Sequence, residues 1–266
     1  MTPDDRRRAF CGAHIKAAGI SLADMGCTLA PGSVKKLQRL VGVEPDGWIG
    51  PLTIAAWRRY NSQPVELDIC RDWHLAARRP RRTPPKSIIL HDSVTRSART
   101  CHTVLRRRNL STHFLICETG KIYETVPPEK YTAAHCSRWN SNSIGVDVIS
   151  MVSAKSLKPS IKSDRARLDR VIAQPYRPHN RPKKVVDYTD GQKHSLVALV
   201  GWLCDRFDIP RRIPTGPVDY GWHLDIEPDE YCGVAAHGQV STKRWDGGLG
   251  VVALERAGWV ADDERV

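Results

Sequence analysis

A chain of 266 residues with 41% hydrophobic side chains can bury a sizeable core, which excludes global disorder and leaves room for one large domain or a main domain plus a small one. Lys and Arg (41) outnumber Asp and Glu (29), a formal net charge of +12 that favours polyanionic partners such as nucleic acid, an anionic envelope or acidic wall polymer. No apolar run approaches the roughly 18 residues of a membrane span, the N-terminus lacks the apolar stretch of a signal peptide, and eight cysteines without a CxxC pair argue against a zinc ribbon or a disulfide scaffold.

Phe10 to Ala18 reads as a helix that Gly19 punctuates, and Pro31-Gly32-Ser33 opens a second one with Ser33 as N-cap. Val34, Leu37, Leu40 and Val41 form its apolar stripe. A turn rich in Gly and Pro follows, and Thr53 can cap a third helix carrying Ile54 and Trp57. The stretch SVKKLQRLVGVEPDGWIGPLTIAAWRRYN resembles the repeat of the type-1 peptidoglycan-binding domain, with its LQ, DG and G-P-x-T elements. Gly47 and Gly50 fit the tight loop between helices, where a positive φ is cheap for glycine. The resemblance implies that residues 1–66 are a small all-α three-helix domain that binds cell wall.

Residues 67–86, with the run RRPRRTPP, read as an exposed, semi-extended linker. No aromatic residues interleave with its arginines, so it makes a poor nucleic-acid platform, and no specific nucleic-acid partner is expected. Ser87 to Leu90 are the core of a buried strand that delivers His91 to a polar edge, beside Asp92 and Ser93. Next come a helix over Ser97–Arg108 with a basic face, a strand over Ser111–Cys117, a hairpin turn at Glu118–Lys121, and a partner strand over Ile122–Val126. Ser143 to Ile149 is another buried strand, and its single acid, Asp147, needs a partner or a job. Residues 152–188 carry no motif and read as an insertion with a short helix over Ser163–Ala173. A clear helix starts at Thr189, with Leu196, Leu199, Val200, Leu203 and Phe207 on one face, and Pro210 ends it. A final helix spans about Leu249 to Ala257.

This order of elements, with the islands IILHDS, STHFLICETGKIYETVP, AAHCSRWNSNSIGVDV and AAHGQVSTKRWDGG, resembles the zinc N-acetylmuramoyl-L-alanine amidases of the amidase-2 type, which share their fold with peptidoglycan-recognition proteins. The resemblance implies an α/β domain over residues 87–266, a mixed β-sheet flanked by helices. It also implies a Zn2+ cofactor and hydrolysis of the bond between N-acetylmuramic acid and L-alanine of peptidoglycan. By position, His91, His237 and Asp246 match the metal ligands, and three protein ligands leave a fourth position open, as a catalytic zinc requires. Asp147 stands where many relatives have Glu and is expected to act as general base. Arg244 stands where the family has Lys, two residues before the third ligand, and either it or Lys243 is expected to stabilise the oxyanion. His135 matches a family His and is expected to line the substrate groove, with Thr112 where some relatives carry a Tyr near the metal. His223, in WHLDIEPDE, is the competing second ligand, but no cation-x-Asp-Gly follows it; His113 is expected to be structural.

The corresponding expectation for the whole chain is a monomeric lytic enzyme, a phage endolysin or a delivered effector, made in the cytoplasm and acting on the wall after release. The alternatives are a non-catalytic peptidoglycan receptor and a zinc peptidase cutting the stem peptide.

Overall fold

The strand Ser87–Asp92 is buried at all six positions and has a paired strand on each side, the arrangement that selects a near-continuous apolar run over an alternating one. A computed structural model describes residues 2–17, 28–40, 43–54, 67–151, 153–173, 184–214, 226–257 and 259–262. The chain divides into two compact units, Met1–Val65 with Arg256–Trp259, and Glu66–Glu255 with Val260–Val266.

In the smaller unit, α1 (Pro3–Ala17) starts seven residues earlier than the apolar pattern indicates, with Asp4 and Asp5 in its first turn, where carboxylates complement the helix dipole. In α2 (Pro31–Leu40), Ser33 lies inside the helix rather than capping it, and its hydroxyl accepts from the Thr28 N–H. Cys11, Ile15, Val34, Leu37, Ile49 and Ile54 form the core. Gln38 is buried and holds the following loop through both ends of its amide: Nε2 donates to Asp46, Trp48 O and Thr53, and Oε1 accepts from the Gly47 N–H. Gly47 sits at φ +88°, whereas Gly50 needs no positive φ. Thr53 lies within a short helical run rather than before it, and Trp57 is outside the described residues.

The larger unit is built on a six-stranded mixed sheet. Its strands are β1 (Ile69–Cys70), β3 (Ser87–Asp92), β4 (Phe114–Ile116), β5 (Ile122–Glu124), β7 (Ser143–Val148) and β11 (Gly233–Ala236), in the spatial order β1-β5-β4-β7-β3-β11. The neighbours β4, β7, β3 and β11 are parallel, and only the β4–β5 hairpin is antiparallel. Residues 67–86 are not a free connector. Ile69–Cys70 joins the sheet edge, and β2 (Arg79–Pro80) pairs with β6 (Tyr131–Thr132). Arg81 is correspondingly drawn inward, donating to the carbonyls of Pro128, Ser141 and Ser143, and burial pushes its pKa down to about 10.

Helix α3 (Ala98–Arg107) is capped by the Ser97 hydroxyl, and α5 (Asp190–Phe207) by a capping box between Thr189 and Gln192. The segment between β7 and α5 contains α4 (Lys162–Leu168) and a hairpin of β8 (Val171–Ala173) with β9 (Lys184–Val186). The helix is one turn shorter than expected because Val171 onward turns into that hairpin. A buried ion cluster fastens the segment. Asp164 receives Arg96 (2.8 Å) and Arg167 (2.8 Å), and Arg167 also reaches Glu118 (2.6 Å). Hydrogen bonds from Arg96 outweigh burial and hold the Asp164 carboxyl down at about 2. The stability this gives is complete above the ordinary carboxylate value of 3.8 and is lost as pH falls through about 2. Asp164→Ala leaves Arg167 without one of its buried partners, and a loss of about 3 kcal/mol is expected. The melting temperature at neutral pH should fall, and the difference from wild type should shrink as the pH approaches 2. The remaining elements are β10 (Arg212–Pro214), α6 (His237–Val240), α7 (Gly248–Arg256) and β12 (Val260–Asp262), with β10 paired to β12. Among the described residues no helix is long and apolar enough to cross a membrane.

Candidate metal centre

Register alone brings three chemical side chains to one end of the sheet. His91 on β3 is the lateral partner of Asp147 on β7, so both side chains stand on the same face. On the other side, Leu90 pairs with Ala236, the last residue of β11, so His237 follows level with His91 as the first residue of α6. The three strands are parallel, and the C-terminal ends of parallel strands are where α/β sheets gather their ligands. Asp246 arrives from the loop after α6; its carbonyl accepts from the Gly238 N–H (3.0 Å).

The resulting donor atoms converge. His91 Nδ1 lies 3.0 Å from His237 Nδ1 and 3.5 Å from Asp246 Oδ2, and His237 Nδ1 lies 3.3 Å from the same oxygen. Ligands around a tetrahedral zinc at about 2.05 Å stand about 3.3 Å apart, so the triangle has the size that such an ion requires. Of these three side chains, the histidines are buried and Asp246 is half-buried, and together they form a group that could hold a metal ion. Two imidazole nitrogens facing each other at 3.0 Å beside a carboxylate can share a proton or a cation, but both rings cannot be protonated at once.

The electrostatics agree with that constraint. Burial opposes a charge on His91, but the Asp246 bond and the charges of Asp147 and Asp246 outweigh it and hold its pKa above the ordinary value. Burial and the neighbouring His91 push His237 down. Burial raises Asp246, yet the bonds from His237 and His91 overcome it and leave the carboxyl far below its usual range. Asp147 is raised, chiefly by burial, with the His91 charge working against it.

Arg244 is exposed, yet its positive charge lowers the pKa of both ligand histidines; Lys243 is exposed beside it. Thr112 is fully buried. Its hydroxyl lies beside Asp147 and acts to lower that carboxyl's pKa, against the effect of burial. His135 Nδ1 stands 3.0 Å from His91 Nε2. His113 is structural, accepting from the Gly145 N–H (2.9 Å), with its other nitrogen 3.2 Å from the Tyr131 carbonyl. Burial and the nearby Arg81 push its pKa down to about 3, so the ring stays neutral. His223 lies outside the described residues.

Asp92, which the sequence offers only as a neighbour of His91, braces the third donor. Its carboxylate accepts from Tyr188 Oη (2.6 Å) and from the N–H of Gly247 (2.7 Å), the residue after Asp246. Burial pushes its pKa up to about 7, with both hydrogen bonds acting in the opposite direction.

The family model for N-acetylmuramoyl-L-alanine amidase matches residues 81–248, the span that holds every residue of this centre. The chain belongs to that amidase family. Among solved structures, it is similar to the endolysin N-acetylmuramoyl-L-alanine amidase LysCS from Clostridium intestinale URNW, at 16% identity over 65% of this chain and 82% of that one, with a TM-score of 0.40. The Ph2119 endolysin from Thermus scotoductus MAT2119 bacteriophage Ph2119 is also 16% identical, over 71% and 98%, with a TM-score of 0.41. The amidase AmiD from E. coli, solved with anhydro-N-acetylmuramic acid-L-Ala-D-gamma-Glu-L-Lys, is 16% identical over 68% and 61%, with a TM-score of 0.42. No curated protein matches the chain. This chain sets two histidines and a carboxylate beside an Asp on the adjacent strand.

Proposed function

We propose that this amidase-family chain hydrolyses the amide between N-acetylmuramic acid and L-alanine of peptidoglycan, using zinc held by His91, His237 and Asp246. The observation that carries the reading is the triangle of donor atoms with sides of 3.0, 3.3 and 3.5 Å. Held by these three residues, a zinc ion would supply Lewis acidity at neutral pH. Asp147, beside His91 and carrying a raised pKa, takes the proton of the attacking water and passes it to the departing L-alanine nitrogen. Arg244, whose charge reaches both rings, offsets the negative charge that develops on the scissile carbonyl oxygen.

Residues 1–66 are proposed to anchor the catalyst to intact wall, where tethering raises the local substrate concentration. A lytic role, as an endolysin or a delivered effector, follows from that anchor and from the net charge of +12. A non-catalytic receptor is disfavoured by Asp147 and Asp246, which give the site both a proton acceptor and a third donor atom.

Mass spectrometry of digested peptidoglycan tests the bond. Free stem peptides beginning at L-alanine are expected, and they should vanish with a chelator. Amino acids or peptides released with the muramoyl–alanine link intact would make the chain a peptidase instead. In the same assay, Asp147→Asn should lower kcat by about 10²–10⁴-fold while zinc stays bound.

A further inference from the structure

His91 Nε2 and His135 Nδ1 share one hydrogen bond, so one of the two nitrogens carries the proton between them. If His91 Nδ1 faces the metal, its proton sits on Nε2 and points at His135 Nδ1, 3.0 Å away, with the rings nearly perpendicular at 88°. His135 then carries its own proton on Nε2, which donates to Ser143 Oγ (3.2 Å), and the Ser143 hydroxyl donates to the Trp139 carbonyl (2.6 Å). With Nδ1 of His91 turned to the metal, every donor in this chain meets one acceptor.

The ring is held for this purpose from two sides. Asn140 Oδ1 accepts from the backbone N–H groups of His135 (3.0 Å) and Cys136 (2.8 Å), which fixes the turn that presents the side chain. On the other side His135 lies over Gly145 of β7, where a Cβ would stand 2.6 Å from the imidazole Cγ. The missing side chain at 145 is the slot that the ring occupies.

From this geometry we infer that His135 is a positioning residue, which fixes the tautomer and orientation of His91 so that Nδ1 is presented to the metal. The inference rests on the metal-centre reading given above. An imidazole ligand whose second nitrogen has lost its acceptor is free to rotate and to take the wrong tautomer, and such outer partners are typically worth 10- to 100-fold in metal affinity.

The test compares wild type, His135→Phe and His135→Asn in the full chain. His135→Phe keeps a ring of similar size but removes the acceptor; His135→Asn keeps an acceptor near the Nδ1 position. Zinc affinity is measured by chelator competition, and the visible spectrum of the cobalt-substituted protein reports on ligand geometry. His135→Phe should bind zinc roughly 10- to 100-fold more weakly with an altered cobalt spectrum, and His135→Asn should recover most of both. Ser143→Ala, which touches neither the metal nor the His91 ring, should weaken zinc in the same direction and decides the matter if circular dichroism shows His135→Phe unfolded. Wild-type affinity and spectrum in His135→Phe, or in Ser143→Ala when that variant decides, would overturn the role. Failure of the wild type to bind zinc would instead remove the metal-centre reading itself.

Discussion

His237→Ala is expected to lower peptidoglycan hydrolysis by at least about 1,000-fold, the scale of several kcal/mol that a bound metal contributes to a transition state. The residue sits at the junction of β11 and α6, and its Nδ1 closes two sides of the donor triangle, 3.0 Å from His91 and 3.3 Å from Asp246. Alanine removes that nitrogen and leaves the strand pairing of Gly233–Ala236 in place. The variant should therefore remain folded by circular dichroism while losing zinc on equilibrium dialysis. A His237→Ala protein that still held zinc and still digested wall would transfer the second ligand to another residue, with His223 the first to examine.

Gly247→Ala is expected to be nearly as damaging, although the residue contributes no chemistry. Gly247 sits at φ +89°, where an L side chain costs about 1–3 kcal/mol. A Cβ there would lie 2.0 Å from the Leu90 carbonyl oxygen and 3.1 Å from the His237 nitrogen, both backbone atoms of the strands and helix that carry the ligands. Those atoms cannot yield without moving β3, so the loop itself must lift, breaking the Gly247–Asp92 bond and carrying Asp246 with it. The expected result is a lower melting temperature together with a zinc affinity reduced toward that of an Asp246 deletion. A variant with wild-type melting and wild-type zinc affinity would show that Asp246 is not held by this loop geometry.

The legibility of the sequence followed the length of each signal. Long periodic segments were readable: the apolar run ending at His91 is β3, and the stripe from Leu196 to Leu203 is the buried face of α5. Strands of two residues carry no period, so Ile69–Cys70 and Arg79–Pro80 are indistinguishable from linker in the sequence. The arginines there suggested solvent, but carbonyl oxygens of the loops around residues 128–143 draw Arg81 inward. The donor triangle joins residues 146 and nine positions apart, which no local pattern links and only the resemblance to a family connects. Tyr188 and Asp92 lie 96 positions apart, and no pattern pointed to their contact. His135 is legible in the sequence but its contact with His91 is not, because that contact depends on the bare backbone at Gly145. A glycine in the middle of an apolar strand was the available signal, since such positions mark close approach of another group.

X-ray absorption at the zinc edge of the zinc-loaded full chain tests the centre most directly. One zinc per chain with two imidazole nitrogens and a carboxylate oxygen among its neighbours, reduced to one imidazole in His237→Ala, is the predicted result. Zinc bound through sulfur, or an identical spectrum from His237→Ala, would contradict it.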